Sequence, residues 1–154
     1  MRTKKFAFCT IGESQTEYAG KVLSSMARGV LCLDGDLGSG KTVLARGIAK
    51  GLGIDDYITS PTFNIVNAYE TDDFIFNHMD AYRITDPEML YDIGFDEMVD
   101  SANLTVIEWA QLIEAVVDGC MIRVKMLYGD NLDSRLIILE ASEEVIDEFI
   151  RSYR

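Results

Sequence analysis

Two prolines, one histidine, one tryptophan and three cysteines occur in 154 residues. No apolar run approaches the length that a membrane-spanning helix needs. With 48% hydrophobic residues and so little proline, disorder is excluded and a real core is expected within one domain, residues 1–154. The three cysteines, Cys9, Cys32 and Cys120, are odd in number and lack metal-ligand spacing. Cys32 lies in an apolar run and Cys120 opens another, so buried, reduced thiols are expected. Basic side chains are scarce: 14 Lys and Arg stand against 26 Asp and Glu, a net charge of −12. That argues against a direct grip on nucleic acid, which needs a basic face. The acids that crowd the C-terminal part, among them Asp130, Glu140, Glu143, Glu144, Asp147 and Glu148, form a solvated face or steer a basic partner. The basic start Arg2-Thr3-Lys4-Lys5 leads into only a short apolar stretch, and Glu13 breaks any continuation of it. A secretory signal is not supported, and a cytoplasmic protein without membrane attachment is the expectation.

One strong motif is present. Gly35-Asp36-Leu37-Gly38-Ser39-Gly40-Lys41-Thr42 fits the phosphate-binding pattern G-x-x-x-x-G-K-[ST]. It comes after the apolar run Val30-Leu31-Cys32-Leu33 and opens a helix-like segment from Val43 to Leu52, the strand–loop–helix context the motif requires. A triphosphate carries dense negative charge, so the loop must approach it closely and side chains obstruct. Gly38 and Gly40 allow the backbone to wrap with amide groups inward. The helix after the loop adds the positive end of its dipole. Lys41 is placed to reach the outer phosphates, and the Thr42 hydroxyl to bind Mg²⁺. The expected nucleotide site is therefore Asp36 to Val43, with Thr62 added from a connection that could serve as a switch loop.

The rest of the pattern is that of a mixed α/β fold. Strands are predicted at Phe6–Thr10, Val30–Asp34, Phe63–Tyr69, Phe74–Asp80 and Leu104–Ile107, and a hairpin at Met121–Leu127 and Arg135–Glu140. Helices are predicted after the capping-box pattern Ser14-Gln15-Thr16-Glu17, running toward Gly29, and along the phosphate-loop helix to Gly53. Two more start at Asp86-Pro87-Glu88, breaking near Gly94, and at Ser142. Together they make a three-layer sandwich around a mixed sheet of the phosphate-loop nucleotide-binding kind, with an antiparallel end. Ligands of such sheets sit at the carboxyl ends of the strands.

Hydrolysis also needs acids near the metal and the attacking water. Two apolar strands end in one: Phe74 to Asp80, and Leu104 to Glu108, with Trp109 next in the chain. His78 lies two residues before Asp80, on the same strand face, and reads as a core or supporting histidine. Trp109 reads as core or as a partner anchor. A small-molecule kinase is the alternative, but residues 83–99 hold one arginine and many acids, poor material for a phosphate-covering lid. No Asn-Lys-x-Asp stretch is present to read guanine. A nucleotide-binding subunit without useful turnover is a third reading.

Four segments in order, Gly35 to Thr42, Ser60-Pro61-Thr62-Phe63, His78-Met79-Asp80-Ala81-Tyr82-Arg83 and Ile107-Glu108-Trp109-Ala110, together with Arg135 in the last strand, closely resemble the TsaE (YjeE) family across nearly the whole chain. The resemblance implies ATP binding and slow hydrolysis to ADP with Mg²⁺. It implies docking onto a TsaB–TsaD pair that modifies tRNA to threonylcarbamoyladenosine, so that tRNA is met only indirectly. By the same resemblance Lys41 holds phosphate, Thr42 and Glu108 hold Mg²⁺, Asp80 stands near the water and Thr62 belongs to the switch. The two acids are exchangeable between their roles. Base recognition is expected around Ser14 to Thr16.

Overall fold

The computed structural model describes residues 2–54, 58–59, 61, 65–86, 88–113, 117 and 119–153, with Arg83 described by its backbone alone. Strands β1 (Thr3–Ile11), β2 (Gly29–Gly35), β3 (Val66–Glu70), β4 (Ile75–Asp80), β5 (Leu104–Glu108), β6 (Ile122–Tyr128) and β7 (Ser134–Ser142) form one sheet. Its order is β1-β7-β6-β2-β5-β4-β3. β4, β5, β2 and β6 run parallel, and β3, β7 and β1 are antiparallel to their neighbours. The helices are α1 (Gly12–Ser24), α2 (Lys41–Gly51), α3 (Glu88–Asp92), α4 (Phe95–Ser101) and α5 (Glu143–Ser152). The predicted mixed sheet with an antiparallel end is therefore what the chain forms.

Burial along each strand reflects its place in the sheet. β5 lies between β2 and β4 and is buried at every position, so its burial does not alternate, and its two polar residues, Thr105 and Glu108, are buried with the rest. β6 and β7 alternate because only one of their faces is covered. That face carries the larger core, where α1, α2 and α5 bring Leu23, Leu44, Ile48 and Phe149 against Leu31, Leu33, Val106 and Ile137. The opposite core is smaller: Leu90 of α3 and Phe95 of α4 pack with Val30, Cys32, Met79 and Ile107. Ala7, Cys9 and Lys125, on the uncovered side of the antiparallel half, are exposed. Ser142 caps α5 as predicted, its hydroxyl accepting from the Val145 amide. Phe149 of that helix stacks among Phe6, Phe8 and Tyr153, with centroids 5.2–6.2 Å apart.

Three expectations need correction. Helix α1 starts at Gly12, not after Ser14; its cap is Ile11, which has no capping side chain. Gln15 reaches back to the Ile11 amide at 2.8 Å, and Gly12 takes a positive φ of 80° that ends β1 and starts the helix at once. Gly29 does not stop α1, which ends at Ser24, but opens β2 at φ 74°. The cysteines are not all reduced and buried. Cys32 and Cys120 form a disulfide with Cα atoms 6.4 Å apart, while Cys9 is free and exposed. The bond results from the β2–β6 pairing: the Met121 amide donates to Val30 O and brings Cys120 beside Cys32. The helix predicted after Asp86 does break at Gly94, and a second short helix, α4, begins there. No helix among the described residues is long and apolar enough to cross a membrane.

Helices α1 and α2 cross at backbone contact, and this sets where the phosphate loop can lie. A Cβ on Gly47 would stand 2.0 Å from Glu17 O, and one on Gly20 would stand 2.3 Å from Leu44 O. Gly47→Ala must push the helices apart. The expected loss is about 1–3 kcal/mol in urea denaturation, with the loop before α2 displaced as α2 shifts.

Candidate functional site

The site lies at the carboxyl ends of β2, β5 and β4. The chain leaves β2 at Gly35, turns through residues 36–40 and enters α2 at Lys41. Gly38 and Gly40 hold φ of 76° and 101°, conformations that only glycine adopts freely. Space forbids larger residues as well: a Cβ on Gly40 would meet Met126 Cε at 3.2 Å, and one on Gly35 would meet Ser39 Oγ at 2.6 Å. This cradle would be filled by any other residue types, and it fits a group that must be met by backbone amides.

Lys41 is only 5% exposed. Its Nζ donates to Gly35 O at 2.6 Å and Asp36 O at 2.9 Å, and lies 4.5 Å from the centre of the Trp109 ring. Burial pushes its pKa down, opposed by the carboxylates of Glu108, Asp80, Asp36 and Asp34. Parallel pairing sets Asp80 directly opposite Glu108, and Glu108 opposite Leu33 just before the loop. The two predicted acids therefore stand side by side beside the lysine. Thr42 and Val43 line the same cavity, of about 380 Å³, together with Leu37, Gly38, Lys41 and Asp80. Asp36 contributes its carbonyl to Lys41. Ser39 is buried, and its hydroxyl has no hydrogen-bond partner among the described residues. Thr62 lies outside the described residues.

The acids differ in surroundings. Glu108 is 2% exposed, and its Oε2 lies 2.5 Å from Nε2 of the fully buried His78. Against a carboxylate the imidazole nitrogen is the donor. His78 thus holds the Glu108 carboxyl in place, a role that its position two residues before Asp80 hinted at but did not fix. Asp80 is half-buried, and its Oδ1 accepts from the Tyr82 amide at 2.9 Å. Burial raises the Asp80 pKa and Glu108 adds to that, while the Tyr82 amide, His78 and Lys41 lower it. Trp109 has a φ of 60°, held by its amide's bond to Leu33 O at 3.1 Å. Its ring also meets Tyr82 at 5.1 Å. It is neither plain core nor plain surface, but a wall of the site.

A fully oxygen-ligated Mg²⁺ takes few ligands from protein when phosphates supply the rest. Among the described residues no group of three or more His, Cys, Asp or Glu could hold a metal by itself. Thr42 beside Glu108 and Asp80 fits an ion of that kind. Sequence reasoning missed Tyr128, whose hydroxyl donates to Leu37 O. No local pattern marks it, because the contact joins residues 91 apart.

The raised Asp80 pKa has a definite sign. A carboxyl held above its unfolded value contributes its stability below the ordinary carboxylate range, and loses it as pH rises through the folded value. Asp80→Asn keeps the acceptor for Tyr82 and removes the ionisation. Its melting temperature should exceed that of the parent at neutral pH, and the gain should vanish near about pH 3, as calorimetry across that range would read.

The profile of the family described as "Threonylcarbamoyl adenosine biosynthesis protein TsaE" matches residues 10–137. A Rickettsia felis protein named "tRNA threonylcarbamoyladenosine biosynthesis protein TsaE" is 34% identical over 144 residues, covering 91% of this chain and 84% of the relative. Proteins of the same name from Bacillus subtilis and Haemophilus influenzae are 38% and 31% identical, covering 72% and 97% of this chain and 70% and 92% of their own. A crystal structure of Bacillus subtilis YdiB superposes with a TM-score of 0.77 at 30% identity, over 98% of this chain and 97% of that one. With this phosphate-loop geometry and these relatives, the chain belongs to the TsaE family.

Proposed function

We propose that this chain binds ATP with Mg²⁺ and hydrolyses it to ADP, in support of threonylcarbamoyladenosine formation on tRNA by a TsaB–TsaD-type pair. One observation carries the reading: the Lys41 ammonium sits buried among loop carbonyls with Asp80 and Glu108 side by side before it. The relatives' shared name supports the pathway. The phosphates lie along the loop from Leu37 to Thr42, with Lys41 turning from its carbonyls to the outer phosphates. Thr42 and Glu108 would hold Mg²⁺, and the ion would supply positive charge against the phosphates. Asp80, with its pKa raised, is the acid nearest in character to a group that orients water. The base end points toward the cavity of about 170 Å³ between Gly12, Glu13, Thr16, Leu132 and Asp133. The net charge of −12 leaves contact with tRNA to the partners.

Lys41→Ala should abolish nucleotide binding in calorimetry. Asp80→Asn should retain binding and lose most phosphate release, a fall of about 10²-fold or more. Phosphate release from ATP should rise sharply when a purified TsaB–TsaD pair is added. No response to the pair, together with transfer to a small acceptor, would replace this reading with that of a small-molecule kinase.

A further inference from the structure

The phosphate loop is gripped from behind by two side chains of the β6–β7 hairpin. Tyr128 and Arg135 pair across that hairpin, and the guanidinium carbon lies 5.0 Å from the tyrosine ring centre. The Tyr128 hydroxyl donates to Leu37 O. Arg135 donates through Nη2 to Gly38 O at 3.2 Å and through Nε to Ser39 O at 3.1 Å. Its Nη1 donates to Leu132 O at 2.7 Å and Ser134 O at 2.8 Å, in the turn of its own hairpin. Three successive loop carbonyls are thereby tied to one rigid corner of the sheet.

In a planar trans peptide the carbonyl and the next residue's amide point opposite ways. Holding Leu37 O and Ser39 O toward the hairpin aims the amides of Gly38 and Gly40 away from it. Glycine-rich backbone can otherwise rotate its peptide planes at little cost. We propose that Tyr128 and Arg135 are positioning residues that preset the loop's peptide planes for an anion, an inference that rests on the nucleotide reading above. Four of the five guanidinium hydrogens are spent on carbonyls, so Arg135 acts through the loop and not on the phosphate.

The test uses the full chain with Tyr128→Phe and Arg135→Lys. Tyr128 is exposed, so loss of its hydroxyl leaves the fold intact. Two quantities are measured: hydrogen exchange of the ligand-free loop amides, and calorimetric affinity for MgATP and MgADP. Both variants should exchange faster at residues 37–41 and bind both nucleotides about tenfold more weakly, with the melting temperature unchanged in Tyr128→Phe. Exchange and affinity within about twofold of the parent in both variants would overturn the clamp. So would weaker binding in Arg135→Lys alone with exchange unchanged, which would put Arg135 on the ligand itself. If the parent binds neither nucleotide, the nucleotide reading fails, while loop exchange still reports on the clamp.

Discussion

Everything in this molecule is arranged around the cost of burying one ammonium group. Lys41 is removed from water, and burial lowers its pKa. Two backbone carbonyls, an aromatic face and four carboxylates within electrostatic reach offset that cost. The carbonyls are available only because the loop turns back on the helix that carries the lysine, and the turn is possible only with glycine at positions 38 and 40. The carboxylates are available only because β2, β5 and β4 are parallel neighbours ending at one level. Sheet order, loop composition and strand length thus answer to a single buried charge.

The parts of this arrangement that are local in sequence were legible. The motif Gly35 to Thr42 named the loop and its lysine, and an apolar strand ending in an acid named Asp80 and Glu108. The helix break at Gly94 and the cap at Ser142 were also local. The features that could not be read depended on pairing between distant segments. The Cys32–Cys120 bond needs β6 to lie beside β2. The Tyr128 contact with Leu37 needs the hairpin to fold over the loop. The α1 start failed for a different reason: a Ser-Gln-Thr-Glu capping pattern lost to a glycine two residues earlier, which could take a positive φ and end β1 directly. Local propensity set a plausible start, and tertiary geometry chose another.

The two halves of the sheet divide the labour. The parallel half is covered on both faces and supplies Lys41, Asp80, Glu108 and His78. The antiparallel half is covered on one face only and supplies no acid to the site, but it braces the loop through Tyr128 and Arg135. His78 does for Glu108 what the hairpin does for the loop: it fixes a group whose own side chain would otherwise choose among several orientations. Tyr128 and Arg135 stand on strands that bear none of the site's acids, and no local sequence pattern marks Tyr128.

Trp109 is the sole tryptophan of the chain, and its indole rests on the buried lysine of the loop. An indole's emission responds to a cation on its ring and to the polarity around it. The protein therefore contains an intrinsic optical probe at its own centre, with no second tryptophan to obscure the signal. Any event that draws Lys41 off that ring changes the light the whole molecule emits.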